Sequence, residues 1–289
     1  MPWNPVPSPV VEPNPTPCRL ERASEHVWWF TPDGRTDRPA LAAVAGATST
    51  ALLEVGASVT HTASFLAALE PLGLPPLRAA VLTHWHWDHA FGGAALDVPI
   101  IAHRSTAKEL AHQASLDWSD AALDARVEAG EEIAFCRDMI QIEIPDRTAL
   151  QIVLPQIVFD DHLELDLGGV RVQVDHVGGD HAADSCVFWV VEDDLIVLGD
   201  CLYQRLYAPE PFLTLASVRA LNRRIGAYGA RLAIEGHDDT LLDAEALGRR
   251  LSGLGDAADR VERLGDGALA TARDDDDRET IEFLLTGRP

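Results

Sequence analysis

Between Thr83 and His89 the chain reads Thr-His-Trp-His-Trp-Asp-His, which places three imidazoles and a carboxylate within six residues. Imidazole nitrogens and carboxylate oxygens are the donors that divalent cations of intermediate softness take. Packing alone asks for no such cluster. Four polar groups crowded into a partly buried place need partners, and a cation satisfies all of them at once. The segment therefore reads as a metal site.

Three later positions share a setting with it. His181 follows the strand-like run Val172 to Val177 and Gly178-Gly179-Asp180, Asp200 ends Leu195 to Gly199, and His237 ends Leu232 to Gly236. Groups that do chemistry in layered α/β folds are often carried on loops leaving strand ends, where a rigid sheet positions them. Together, His84, His86, Asp88, His89, His181, Asp200 and His237 supply five imidazoles and two carboxylates. That is more than one tetrahedral ion needs, and it suits two ions that each keep an open position.

The elements that must hold these groups can be read from apolar patterning. Ala79-Ala80-Val81-Leu82 is a short apolar run, and Leu77 to Thr83 reads as a buried strand running into the cluster. His84 and His86 then point the same way by the period of two, while Asp88 and His89 turn across the gap. Ser49 to Val55 and Val98 to His103 read as further strands, and Thr62 to Ala68 and Ser105 to Gln113 as helices. Within 115–155, Ala121 to Val127 looks helical and Ile140 to Ile144 alternates like a strand. Gly168-Gly169 between His162–Leu167 and Val170–His176 is a hairpin signal, and Cys186–Val191 with Leu195–Leu198 forms a second. Leu215 to Tyr228 is a helix, Leu232 to Ile234 a strand, and Asp243 to Leu264 one or two acidic amphipathic helices. The Asp274–Asp277 run is expected to be a solvated segment before a short helix over Ile281 to Leu285.

The chain has 289 residues, 47% of them hydrophobic, which is enough for one large α/β domain with a sizeable core. No apolar run approaches the roughly 18 residues a membrane span needs. No basic segment with an apolar core stands at the N-terminus, so a cytoplasmic setting is expected. Cys18, Cys136, Cys186 and Cys201 show no paired spacing, which agrees with a reducing compartment. The formal charge of −23, with Lys108 the lone lysine, argues against nucleic acid or an anionic membrane as partner and for a small-molecule substrate. Seven prolines among residues 1–17 describe an extended arm ahead of a domain over 18–289. It is read either as a free tail or as an arm packing on a neighbouring subunit in a homo-oligomer.

The ordered set His84-x-His86-x-Asp88-His89, His181, Asp200, His237 resembles that of the metallo-β-lactamase superfamily, over residues 27 to 240. The resemblance implies a four-layer αββα sandwich, two mixed β-sheets face to face with helices outside and metals at one edge. It implies His84, His86 and His181 on one divalent ion, Asp88, His89 and His237 on the other, and Asp200 bridging them. Zinc is the expected metal, with iron or manganese as alternatives. The implied chemistry is hydrolysis by a metal-bridging hydroxide, with Asp88 as a catalytic residue that orients the nucleophile and takes up its proton. A glyoxalase II-like ester or thioester hydrolase ranks first, an acyl-homoserine lactonase second and a β-lactamase third, since an aspartate occupies the bridging place. A metal-binding sensor or scaffold of the same fold is the non-enzyme alternative. Against a true glyoxalase II stands the acidic stretch after His237, which lacks a basic cluster for a glutathione carboxylate.

Two departures concern support for the ligands. Glu54 stands where many relatives carry an aspartate, and Asp180 where they often have glycine; Asp180 either orients His181 or is solvated. Tyr203, three residues past Asp200, resembles the lactonase tyrosine that polarises the substrate carbonyl, and is the second candidate catalytic residue. Cys201 should face away from Asp200 and join the core. Trp85 and Trp87 are expected to wall the metal loop, and Trp28-Trp29-Phe30 to form either core or an apolar lip. The other six histidines, His26, His61, His103, His112, His162 and His176, are read as structural.

Overall fold

The computed structural model describes residues 17–288, so the arm expected over 1–17 lies, Pro17 apart, outside the described residues. Seven strands form the first sheet in chain order: β1 (Leu20–Arg22), β2 (Val27–Phe30), β3 (Leu41–Ala45), β4 (Thr50–Leu53), β5 (Leu77–Val81), β6 (Ile100–His103) and β7 (Ile157–Phe159). Neighbours run antiparallel from β1 to β4 and parallel from β4 to β7. Six strands form the second sheet: β8 (His162–Asp166), β9 (Arg171–His176), β10 (Cys186–Val190), β11 (Leu195–Gly199), β12 (Leu232–Glu235) and β13 (Leu242–Asp243). In it only β11 and β12 pair in parallel. Both sheets are therefore mixed.

The side-chain period of two sorts each strand between two cores. On β4 and β5, Ala51, Leu53 and Val81 enter an inter-sheet core, while Leu52 and Ala80 turn to the other face. On β10 and β11, Cys186, Phe188, Val190, Leu195 and Val197 meet them from the second sheet. Their alternates Val187, Trp189 and Ile196 pack under helices instead. Strands buried on both faces read as continuous apolar runs, which is why these segments are legible in the sequence.

Helices α1 (Val59–Leu69), α2 (Trp87–Ala90), α3 (Arg104–Gln113), α4 (Asp120–Ala129) and α5 (Ala134–Glu143) lie in the first half of the chain. Helices α6 (Leu215–Tyr228), α7 (Ala244–Leu264) and α8 (Asp275–Thr286) follow in the second. Phe65 of α1 and Ile140 of α5 cover the first sheet, and Leu221, Leu254 and Ile281 cover the second. The result is the four-layer sandwich of two mixed sheets flanked by helices. None of these helices is long and apolar enough to cross a membrane.

Two expectations are corrected. Ile140 to Ile144 is not a strand but the end of α5, whose buried positions Cys136, Ile140 and Glu143 recur at helical spacing. The aspartate run does not precede the last helix but opens it: Asp274 caps α8 by accepting from the Asp277 amide at 2.8 Å, Asp274 to Asp276 are exposed as expected, and only Asp277 is buried, paired with Arg260 and Arg273. Trp29 and Phe30 are buried in β2, so that triplet is core.

Candidate metal centre

Every candidate ligand leaves the carboxyl end of a strand. The segment after β5 carries His84 and His86 and coils into α2, which carries Asp88 and His89. The loops after β9, β11 and β12 carry His181, Asp200 and His237. The turns are tight. Gly199 takes a left-handed φ of 53°, and a Cβ on Gly236 would lie 1.8 Å from Asp200 Oδ1, so the chain passes there only without a side chain. The Cys186 amide donates to Thr83 O at 2.8 Å and the Ala40 amide to Gly236 O at 2.6 Å, tying the two sheets together around the site.

The structure brings all seven residues together, in two groups. Ligand atoms of His84, His86 and His181 lie within 4.8 Å of one another, and so do those of Asp88, His89, Asp200 and His237. Asp200 Oδ2 stands between them, 3.5 Å from His181 Nε2, 3.3 Å from His89 Nε2 and 3.3 Å from His237 Nε2. Asp88 Oδ2 is 3.1 Å from His89 Nε2 and 3.2 Å from His237 Nε2.

A divalent metal fits this set. Nε2 of His84, His86 and His181 and Oδ1 of Asp200 are buried with no hydrogen-bond partner in the protein, a costly arrangement unless something else satisfies them. The opposite nitrogens are held: His84 Nδ1 lies 2.9 Å from Thr83 Oγ1 and His181 Nδ1 donates to Gln204 O at 3.1 Å, which turns Nε2 inward. Burial, then the neighbouring histidines, pushes His84 and His86 well below the ordinary imidazole value, and burial lowers His181, so all three are the neutral donors a cation requires. Burial alone would raise the Asp88 and Asp200 carboxyls. His89 and His237 beside them override it and hold both low. His89 and His237 are in turn raised, against burial, by those carboxylates.

Support for the ligands converges on Glu54. It is buried, takes φ 78° and follows β4. A left-handed backbone on a residue with a Cβ costs roughly 1–2 kcal/mol and persists only where its surroundings hold it. Its amide donates to Val81 O at 2.8 Å, and its carboxylate accepts from the Thr83 amide at 3.3 Å and from the Thr83 hydroxyl. Oε1 also lies 3.2 Å from His89 Nδ1. One carboxylate thus reaches His84 through Thr83 and His89 directly, so the longer side chain touches ligands of both groups. Asp180 orients nothing at His181. It accepts from the amide and hydroxyl of Thr214, at 2.7 and 3.0 Å, and anchors the cap of α6.

Tyr203 N donates to Asp200 O at 2.8 Å, and its hydroxyl accepts from the His237 amide at 3.4 Å. Burial, then Glu235 and Asp200, raises the phenol far above its ordinary value, so it keeps its proton. Cys201 is buried in the core under the second sheet's helices. Trp87 is buried against Phe91, and Trp85 packs edge-on against His86 and beside Tyr207. None of the six remaining histidines joins a ligand group among the described residues.

A cavity of about 260 Å³ opens over the cluster, with Phe135, Leu206 and Tyr207 on its apolar side. Its wall includes a residue that sequence reasoning missed. Asp37, in the loop after β2, takes φ 57° and places Oδ1 3.6 Å from His237 Nδ1. Burial, opposed by His237 and reinforced by Asp88 and Asp200, pushes this carboxyl up to about 7. Nothing around Thr36-Asp37-Arg38 signals it, because its meeting with His237 is a product of tertiary folding.

In solved structures the fold recurs in a metallo-β-lactamase from Pontibacter korlensis, 21% identical with a TM-score of 0.58 over 81% of this chain and 97% of that one. It recurs in one from Hirschia baltica, at 16%, 0.55, 82% and 97%. The inverting sec-alkylsulfatase Pisa1 from a Pseudomonas species aligns at 13% and 0.64 over 88% of this chain, which spans 44% of that protein. At these identities the likeness is one of fold. No curated protein gives a significant sequence match. The sequence profile of the metallo-beta-lactamase superfamily, Lactamase_B, matches residues 36–258, and with the two-sheet fold and its edge cluster of histidines and aspartates this chain belongs to that superfamily.

Proposed function

We propose that the protein is a dinuclear metal-dependent hydrolase of carboxylic esters or thioesters. The observation that carries this reading is the position of Asp200 Oδ2, within 3.5 Å of imidazoles from both ligand groups. His84, His86 and His181 would hold one ion, Asp88, His89 and His237 the second, and Asp200 both. When bound, two divalent ions, zinc foremost with iron or manganese as substitutes, lower the pKa of water toward neutrality and polarise a carbonyl oxygen. The Asp88 carboxylate, kept ionised, orients the attacking water and takes up its proton. Phe135, Leu206 and Tyr207 keep bulk water off the acyl side of the cavity.

Lactone opening is the second reading, and Tyr203 favours it. Its hydroxyl is protonated and accepts from the His237 amide, which leaves its proton free to donate to a carbonyl oxygen as charge develops there. Elemental analysis, followed by a panel of nitrophenyl esters, acyl thioesters, homoserine lactones and nitrocefin, tests both. About two equivalents of metal with ester or thioester turnover supports the first reading. A lactone-selective rate that falls in Tyr203→Phe shifts the assignment to the second. Native protein without metal removes both.

A further inference from the structure

Tyr203 stands between two cavities. It lines the metal cavity and also a cleft of about 830 Å³ on the far side of His237, which α7 and the start of α8 enclose. A phenol at such a junction is useful only if its hydroxyl is held at one place, and its own backbone fixes only the Cα end. Two residues outside the ligand set supply the remaining constraint.

Glu235 is the last residue of β12. Along that strand Ala233 packs under the helices and Ile234 enters the inter-sheet core, so the period of two turns Glu235 toward the helix layer. Its side chain is 5% exposed, and Arg250 of α7 meets it there, with Nε 3.2 Å from Oε1. From that anchor the Arg250 guanidinium carbon lies 6.0 Å from the centre of the Tyr203 ring. A cation whose own position a buried carboxylate fixes thus faces the ring from the cleft side, at the outer range of a cation–π contact. Gly236 leaves no slack in the chain between Glu235 and His237, because its amide donates to Gly199 O at 2.9 Å and its carbonyl accepts from Ala40. The His237 amide that grips the Tyr203 hydroxyl and the carboxylate that grips Arg250 are therefore two residues apart on one taut segment.

We infer that Glu235 and Arg250 are positioning residues that act through Tyr203, holding its hydroxyl against His237 at the mouth of the metal cavity. The inference rests, for its consequence in turnover, on the reading in which the Tyr203 hydroxyl donates to the substrate carbonyl, and on geometry alone for the placement of the ring. Arg250 touches no reacting atom. Removing it frees the ring to rotate away from His237, so the loss is in kcat and substrate binding changes little.

The chain has three tyrosines, Tyr203, Tyr207 and Tyr228, so 3-fluorotyrosine labelling gives three ¹⁹F resonances, and Tyr203→Phe identifies the one of interest. Arg250→Gln is expected to move and broaden the Tyr203 resonance and leave the other two in place. Because that variant leaves Glu235 buried without its partner, Glu235→Gln/Arg250→Gln, which keeps a neutral hydrogen-bonding pair, serves as the second variant and is expected to give the same shift. In kinetics with the best panel substrate, Arg250→Gln lowers kcat roughly tenfold with KM within about twofold, and has less than about a twofold effect in the Tyr203→Phe background. Losses that multiply in the double variant, or a Tyr203 resonance unmoved in both Arg250 variants, overturn the inference. If no panel substrate is turned over, the hydrolase reading fails and the ¹⁹F result alone decides the placement of the ring.

Discussion

The two ligand groups differ in kind although they share Asp200. The group of His84, His86 and His181 consists of imidazoles alone, buried and uncharged, each turned by a neutral partner on its outer nitrogen where one is seen. The group of Asp88, His89 and His237 carries its own carboxylate and a further acid, Asp37, beside His237, and in the metal-free protein these carboxylates and Asp200 raise its two histidines. The first would take up charge from an ion held there, and the second contains the carboxylates that would orient a nucleophile. Asp200 joins them because its Oδ2 faces both, so the asymmetry belongs to one site rather than to two.

The largest expected effect comes from removing what is shared. Asp200→Ala should empty both positions and lower hydrolysis by roughly 10³-fold or more without unfolding the chain, read by metal content, circular dichroism and kcat/KM. Turnover that survives would break the idea of a joint centre. Next come variants confined to one group. His86→Ala and His237→Ala should each leave close to one metal equivalent, and each should cost about 100-fold or more in rate; loss of both equivalents from either would show that the groups are not separable. Glu54→Gln acts behind both groups and should weaken metal affinity at both by roughly 10–100-fold in a chelator titration. An effect on one equivalent alone would place Glu54 with a single group.

The smallest effect is in pH. In the metal-free protein, His84, His86 and His181 are lowered, so below about 6.5 the unfolded chain takes up protons that the folded one does not, and their contribution to stability is lost as pH falls. His89 and His237 are raised, so their contribution is present below about 6.5 and is lost as pH rises through their folded values. The Tm of the metal-free protein should therefore fall on both sides of a maximum near neutrality. His86→Gln should flatten the acid limb and His237→Gln the alkaline limb, each by a few degrees. A single limb carried by both variants would erase the contrast.

Much of this was legible in the sequence for a physical reason. Strands buried on both faces are continuous apolar runs, Gly168-Gly169 marks its hairpin directly, and seven ligand-type side chains at strand ends serve no packing need. Leu215 to Tyr228 could be read to the residue because Thr214 caps it and Gly229 ends it. Ile140 to Ile144 misled because its isoleucines alternate, whereas the positions the helix buries, Cys136, Ile140 and Glu143, are four and three residues apart. The aspartate run misled because Asp277 is buried against Arg260, which α7 brings to it only on folding, while the neighbouring Arg273 pairs with it across the first turn of α8. Asp37 and Arg250 left no mark for the same reason: each matters through a contact made only on folding. Glu54 was visible as a departure, but its reach to both groups depends on a backbone conformation that composition does not announce.

The division of the ligands between the sheets has a consequence for how the molecule comes apart. Glu54 and His84 to His89 belong to the seven-stranded sheet, whereas His181, Asp200 and His237 belong to the six-stranded one. Anything coordinated by both sets is a crosslink across the plane where the halves meet, and separating the halves then requires its release. Metal loading should therefore slow global unfolding far more than it slows the fraying of outer helices. In native-state hydrogen exchange, the amides of Cys186 and Ala40, which bridge the halves, should gain the most protection, so the edge of the sandwich that performs chemistry would also be its clasp.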